Sequence, residues 1–314
     1  MKKLSVLIPA YNEQDNLRNT ISEVQKKIDE LISLSLISKD SFIAIIDDGS
    51  TDKTWSTLQE LKHKFINLKA LKLSKNCGHQ IALFAGIREF SNLCDFSISI
   101  DADMQHDINK FEELIKFFKK NYDIVIAVSD RKTDSFFKKF TANIFYKLLN
   151  LISNIKTEPH HADYRLLSKK AMIEVIKYEN KNIFLRGVIA SLSFEKKIIK
   201  YRLRKRKIGY SKYSILKMLK LALDGVTSQS THLLRIASVA GFIILIFCFI
   251  SSLMVFYNYY INKNIIPGWA TIVLPIYFLG GVQILFLGII GEYISKIYKE
   301  INKSPTYTVL EYIE

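Results

Sequence analysis

Through the first 130 residues, short apolar runs alternate with longer stretches of helical periodicity. Runs at 4–8, 42–46, 68–73, 96–100 and 124–128 are built mainly from Ile, Leu, Val and Phe. Their length and bounding turn residues predict buried strands. The intervening stretches 14–36, 53–65, 80–90 and 108–119 predict helices. Strands separated by helices imply right-handed crossovers and an α/β fold, its mostly parallel sheet covered on both faces. Ligands of such sheets bind beyond the carboxyl ends of the strands.

The pattern changes after residue 213. In 214–226, Ser214, Lys217, Lys220 and Asp224 form a narrow polar stripe on an otherwise apolar helix, which suits a membrane surface. Stretches 236–257 and 265–291 then carry no charged residue. Each exceeds the roughly 20 residues that cross a bilayer core as a helix. The expected layout is a globular domain over 1–213, an interfacial helix over 214–232 and transmembrane helices over 233–257 and 265–291. A short external connector, 258–264, joins the spans, and 292–314 forms a tail. A dozen Lys and Arg lie in 196–235, and Lys296, Lys299 and Lys303 follow the second span, whereas the connector holds one Lys. That bias puts the globular domain and both termini on the cytoplasmic side of the inner membrane, as a multi-pass protein. Tyr257, Tyr259, Tyr260 and Trp269 fit an aromatic belt at the outer surface. The basic, aromatic stretch 136–155 fits either a membrane-surface helix or a partly buried one. Gly280-Gly281 and Gly288 would allow close helix contact, and with it a homo-oligomer.

Charge narrows the partners. The 314 residues carry a formal net charge of +15, which favours anionic ligands. With two spans in the chain, the bilayer and phosphorylated substrates are expected, and nucleic acid is not. Met1-Lys2-Lys3 before an apolar run imitates a signal peptide, but Pro9 to Glu13 ends the run without a cleavage site. Cys77, Cys94 and Cys248 show neither paired nor metal-binding spacing, so reduced thiols are expected.

Candidate chemistry concentrates at the strand ends. Asp101-Ala102-Asp103-Met104-Gln105 follows the fourth run directly. Alternate residues of an extended chain project to one side, so Asp101, Asp103 and Gln105 can converge. Two carboxylates and an amide oxygen suit Mg²⁺ or Mn²⁺; a solvated acidic turn is the alternative. Glu13 ends the first strand and Asp47-Asp48 the second. Asp47-Asp48-Gly49-Ser50 also reads as a tight turn, with Asp52 capping the next helix. His79 and His106 are acid–base candidates by residue type, while His160-His161 reads as loop surface.

Pro9-Ala10-Tyr11-Asn12-Glu13, Asp47-Asp48-Gly49-Ser50-Thr51-Asp52 and Asp101-Ala102-Asp103 occur in that order at strand ends. Together they resemble the inverting family 2 glycosyltransferases, with their nucleotide-diphospho-sugar transferase (GT-A) fold. Lys75 to Leu83, Ala162 to Ser168, Phe184 to Gly187, Arg206 to Tyr213 and Gly291-Glu292-Tyr293 resemble segments of the polyprenyl-phosphate branch of that family. The resemblance implies a membrane enzyme that moves one sugar from a UDP- or GDP-linked donor to a polyprenyl phosphate. It places Pro9, Ala10, Tyr11, Glu13, Asp47 and Asp48 around the nucleoside. Asp101, Ala102 and Asp103, with Arg131, Arg206 and Lys212, would lie at the sugar diphosphate. Asp101, Asp103 and Gln105 would hold the divalent cation. Asp103 and Asp163 stand nearest the chemistry, Arg165 and Arg186 would meet the acceptor phosphate, and His79 would orient a loop. The acceptor phosphate is already largely ionised at neutral pH, so Asp103 is expected to hold metal and take no proton. The chain departs from the pattern at Asp107-Ile108, Ser129-Asp130 and Ser304-Pro305. A processive synthase is a second reading, but it would carry a Gln-x-x-Arg-Trp pattern absent here. A non-catalytic sugar-nucleotide sensor is a third.

Overall fold

Strand β1 (Leu4–Ala10) is buried at every position, as expected of a central strand with both faces covered. The computed structural model describes residues 1–129, 161–179, 183–202, 269–301 and 305–314, with eight further positions between 241 and 257. The chain forms two compact units; residues up to 202 and from 305 onward belong to the first, and the described residues between belong to the second.

The first unit is an eight-stranded mixed sheet in the order β7-β5-β6-β4-β1-β2-β3-β8. After β1 come α1 (Gln14–Ser33), β2 (Phe42–Asp47), α2 (Thr54–Lys62), β3 (Leu68–Leu73), α3 (His79–Phe90) and β4 (Phe96–Ser99). Then follow α4 (Phe111–Lys119), β5 (Ile124–Ser129), β6 (His161–Ser168), α5 (Lys169–Ile176), α6 (Leu185–Ser191) and β7 (Lys196–Tyr201). β1 pairs in parallel with β2 and β4, β2 with β3, and β5 with β7. β6 runs antiparallel between β4 and β5. The parallel α/β reading therefore holds, and the mixed part lies at β6 and at the edge strand β8 (Val309–Ile313).

Side-chain alternation divides the core. Val6 and Ile8 face a layer with Leu17, Ile21, Val24 and Ile28 of α1, whereas Leu7 faces the opposite layer with Leu83 and Phe84 of α3. The i, i+4, i+7, i+11 spacing of the α1 residues is the apolar stripe a covering helix needs. All four are fully buried; truncating one to Ala would cost about 2–5 kcal/mol.

Three strands, β6, β7 and β8, went unread in the sequence, the first two because of their charges. β6 carries Asp163 and Arg165 at buried positions, charges that hide a strand until their mutual pairing is seen. β7 is Lys-rich, and only Ile199 and Tyr201 of it are buried.

The stretch expected to be a tail, 292–314, continues a helix and then rejoins the sheet. β8 pairs antiparallel with β3, placing Tyr312 opposite Leu71 and Ile313 opposite Ala70. The Tyr307 and Tyr312 hydroxyls donate to Glu89 of α3 at 2.6 and 2.9 Å. The Trp55 indole donates to Glu311 at 2.9 Å.

In the second unit, α7 (Trp269–Ile301) has 33 residues, about 50 Å of helix against a bilayer core of about 30 Å. Its window Phe278–Ser295 has mean hydropathy 1.6, with none of it buried in the protein. By length and composition it is the one helix among the described residues able to cross a membrane. The described positions between 241 and 257 are helical, and a methyl group on Gly241 would come within 3.2 Å of the Phe286 ring. Most of the first expected span, the stretch 136–155, the interfacial helix, the connector, Arg131, Arg206 and Lys212 lie outside the described residues.

Candidate active site

The carboxyl ends of β1 and β2 are laced together by the motifs that follow them. The Asn12 amide donates to Ser50 Oγ at 2.9 Å, and the Thr51 amide donates to Asn12 Oδ1 at 2.9 Å. Asn12 takes φ +53° to do so, a left-handed backbone that Asn tolerates better than most residues. The Glu13 amide donates to Thr54 Oγ1 at 3.0 Å, while its carboxylate accepts from Asn16 Nδ2 at 2.6 Å. Pro9 and Ala10 are the last residues of β1, and Tyr11 lies exposed beyond them. Asp52 accepts from the Thr54 amide at 2.9 Å, but the N-cap of α2 is Lys53, so the expected helix cap becomes a local turn bond one residue earlier.

Asp47 and Asp48 are both buried. Asp47 Oδ1 accepts from the Ser50 amide at 3.0 Å, and its Oδ2 has no hydrogen-bond partner among the described residues. Burial pushes its carboxyl up. Asp48 uses both oxygens on the next loop, accepting from the Cys77 amide at 2.7 Å and the Gly78 amide at 2.9 Å. Burial raises it to about 6 against the pull of those two amides. Asp48 thus ties the end of β2 to the start of α3. Gly49, at φ +63°, lets the strands approach: a Cβ there would lie 2.4 Å from the Lys75 carbonyl carbon. Of the sequence-based pair, Asp47 retains an oxygen for a ligand and Asp48 is spent on the loop.

β4 delivers the acidic loop. Its last ladder bond runs from the Ile100 amide to Leu7 O at 3.1 Å. Beyond it, Asp101 Oδ1 is buried without a hydrogen-bond partner among the described residues, with His79 Nε2 3.5 Å away. Asp103 Oδ1 accepts from the Gln105 amide at 3.1 Å, and Thr20 Oγ1 donates to Ala102 O at 2.8 Å. Asp101, Asp103 and Gln105 therefore share one short loop, which is a turn with Met104 at φ +56° in place of the extended segment expected from alternation. Among the described residues no group of three or more His, Cys, Asp or Glu forms a cation cage. Two carboxylates and an orphaned, buried Asp101 oxygen do fit a Mg²⁺-type ion, which draws its other ligands from water and phosphate.

Opposite Asp101, β6 presents Asp163, and this carboxylate is the hub of the site. It is 4% exposed and pairs with Arg165, itself 1% exposed. The Arg186 Nη2 donates to Asp163 Oδ2 at 2.9 Å and its Nε to Oδ1 at 3.3 Å. Gln80 Nε2 donates to Oδ2 at 3.0 Å, and His79 Nε2 stands 3.2 Å from the same oxygen. Burial alone would raise Asp163, but Arg186, Arg165 and His79 together hold it well below the ordinary range. Burial pulls His79 down; its bond to Asp163 and the charges of Asp101 and Asp163 outweigh this and lift it to about 9. Arg165, by burial, falls to about 10 despite Asp163.

This geometry sorts the expected residues. Asp163 has every lone pair engaged by donors, which suits an anchor and not a proton acceptor. Arg165 is enclosed, and its Nε and Nη1 lack hydrogen-bond partners among the described residues. Arg186 is 35% exposed at the side chain, so its guanidinium can meet a ligand while Asp163 aims it. Sequence reasoning underrated His79 and Gln80. Their signal was position: they open α3 directly after Gly78, whose φ of +96° sets the turn into the helix.

Comparison with known proteins agrees with this arrangement. The family model described as glycosyl transferase family 2 matches residues 5–176. The chain is 36% identical over 309 residues to the uncharacterized glycosyltransferase YkoT of Bacillus subtilis, covering 98% of this chain and 90% of that one. It is 33% identical over 308 residues to a prophage bactoprenol glucosyl transferase homolog of Escherichia coli, covering 98% of each. It is 32% identical over 308 residues to the bactoprenol glucosyl transferase of Shigella phage SfV, again covering 98% of each. With an eight-stranded mixed sheet, an acidic loop at the end of β4 and relatives matched end to end, the chain belongs to glycosyl transferase family 2.

Proposed function

We propose that this glycosyltransferase moves a single sugar, with inversion, from a nucleotide-diphospho-sugar to a polyprenyl phosphate at the cytoplasmic face of the membrane. The observation that carries the reading is the end-to-end match to bactoprenol glucosyl transferases. The chemistry of the site supports it. In a single in-line displacement, an acceptor phosphate oxygen forms the bond to C1 as the bond from C1 to the donor's diphosphate oxygen breaks. The leaving group is a nucleoside diphosphate. A phosphate monoester has its second pKa near 6, so it attacks already ionised and needs alignment more than deprotonation. A site whose buried Asp163 is saturated by cations and an amide matches that need.

On this reading, Asp47 with the loop after β1 takes the nucleoside, and Arg186, braced by Asp163, receives the acceptor phosphate. Arg131, Arg206 and Lys212 face the donor diphosphate. Mg²⁺ or Mn²⁺ held by Asp101, Asp103 and Gln105 would supply Lewis-acid neutralisation of the departing diphosphate. Anchorage is by two helices, 233–257 and α7. The apolar, uncovered surface of α7 and the close approach of Gly241 to Phe286 support it. Small residues at helix contacts are the usual currency of packing in bilayers.

The test is transfer of radiolabel from a panel of uridine- and guanosine-linked sugars into lipid extract. Purified full-length protein and added polyprenyl phosphate are used, with mass and anomeric analysis of the product. One donor should yield a polyprenyl-monophosphate sugar of inverted configuration. Absence of any lipid-linked product across the panel would overturn the reading.

A further inference from the structure

His106 is buried, 3% exposed, and it sits in an aromatic box. Its ring stacks on Tyr164 with centroids 5.0 Å apart and meets Tyr201 edge-on at 5.7 Å. Tyr164 is itself fixed, donating from its hydroxyl to Asp107 O at 2.9 Å. An imidazole held this way has little freedom to turn, so the direction of its nitrogens is part of the fold.

Both nitrogens lie close to one residue, and one of them is bonded to it. The sheet ladder of β4 stops at the Ile100 amide. The next amide, that of Asp101, donates to His106 Nδ1 at 3.1 Å. A ring that accepts at Nδ1 carries its proton at Nε2 in the neutral form. That Nε2 stands 3.5 Å from Asp101 Oδ2. One side chain therefore closes the 101–106 loop into a ring through Nδ1, with the carboxylate at its start beside the same imidazole. Inside the ring, Met104 takes φ +56°, and Gln105 donates its amide to Asp103. A non-glycine residue in that region is held there by its surroundings.

We propose that His106 is a positioning residue: a clasp that sets the direction of the Asp101 carboxylate and so readies the acidic loop for its cation. The inference rests on the cation reading given above for its consequence, though not for the clasp itself. Groups that orient a metal ligand from behind change metal affinity by about 10- to 100-fold when removed. The two ring nitrogens can be tested separately. In His106→Asn the amide oxygen can occupy the place of Nδ1 and keep the bond from the Asp101 amide. In His106→Gln the amide nitrogen can occupy the place of Nε2 instead. His106→Phe keeps the stack on Tyr164 and removes both polar functions.

Two measurements on the purified full-length protein decide the matter. Hydrogen exchange at the Asp101 amide reads the clasp without any metal. Electron paramagnetic resonance of Mn²⁺ in the presence of UDP reads cation affinity. The amide should exchange slowly in the parent and in His106→Asn, and at least about tenfold faster in His106→Phe and His106→Gln. Mn²⁺ affinity should fall about 10- to 100-fold in His106→Phe and recover substantially in His106→Asn. A ring that served only packing would make Phe the mildest change. The clasp is overturned if the Phe variant protects the amide as the parent does, or if Asn exchanges as fast as Phe. If the parent itself binds no Mn²⁺ with UDP, the cation reading fails, and exchange at Asp101 still judges the clasp.

Discussion

Replacing Asp163 by Asn should unfold the catalytic domain well below its normal temperature, and the size of the effect follows from its partners. The carboxylate accepts from Arg186 and Gln80 and pairs with Arg165 and His79. An amide of the same shape has one acceptor atom and would turn its own N–H groups against those donors. Arg165 is 1% exposed and would be left as a buried charge with no counter-charge in contact, a defect of about 3–5 kcal/mol. For a domain of this size each kcal/mol moves the midpoint by about 2–4 °C, so the fall should be about 6–20 °C. Trp55 is 7% exposed beneath β8 and reports on this domain; Trp269, the second of two tryptophans, can be removed as Trp269→Phe. Fluorescence melts of the Asp163→Asn and Asp163→Asn/Arg165→Met variants complete the test. Removing the stranded cation should return part of the loss, with a coupling of at least about 1 kcal/mol. An Asp163→Asn protein that melts within about 2 °C of the parent yet transfers no sugar would refute the hub and point to direct chemistry by Asp163.

Three other perturbations test neighbouring parts of the structure. Gly49→Ala drives a methyl group to 2.4 Å from the Lys75 backbone at φ +63°. It should lose about 1–3 kcal/mol by overpacking and weaken UDP binding in calorimetry; an unchanged melt would sink the close approach. Deleting 305–314 removes β8 and the tyrosine bonds to Glu89. The shortened protein should melt earlier and scatter light on warming, because β3 becomes an open edge. Asp48 is raised from 3.8 to about 6 in the folded protein. A raised carboxyl contributes stability that is complete below the unfolded pKa and is lost as pH climbs through the folded one. Melts of the parent minus those of Asp48→Asn should therefore decline between about pH 4 and 6, and a flat difference would remove the shift.

The first five strands and four helices were legible because their apolar periodicity is strong and each face is covered. The acidic loop was legible as a cluster because Asp101, Asp103 and Gln105 fall within five positions directly after β4, although a turn with Met104 at φ +56° replaces the extended alternation expected of them. The Asp163 hub was not legible as a hub. Its partners come from α3, β6 and α6, and only the antiparallel placement of β6 beside β4 brings His79, Gln80, Arg165 and Arg186 to one carboxylate. Asp48 was legible only in part: its oxygens accept from the Cys77 and Gly78 amides, bonds that no residue pattern announces. β8 was hidden because five residues after a long apolar helix carry no signal of which sheet they will join.

That last strand has a consequence for how the chain is threaded. β1 and β8 belong to one sheet, and α7 lies between them in sequence. A polypeptide that leaves a domain, traverses a bilayer and hydrogen-bonds again to the same domain must have traversed it an even number of times. If α7 is one crossing, parity requires an odd number more, and 203–268 is where the remaining chain is available. Reporters fused before Met1 and after Glu314 should then register the same compartment, and opposite readings would break the parity. If α7 crosses a membrane, the four backbone pairings between β3 and β8 hold the chain ends on one side of it.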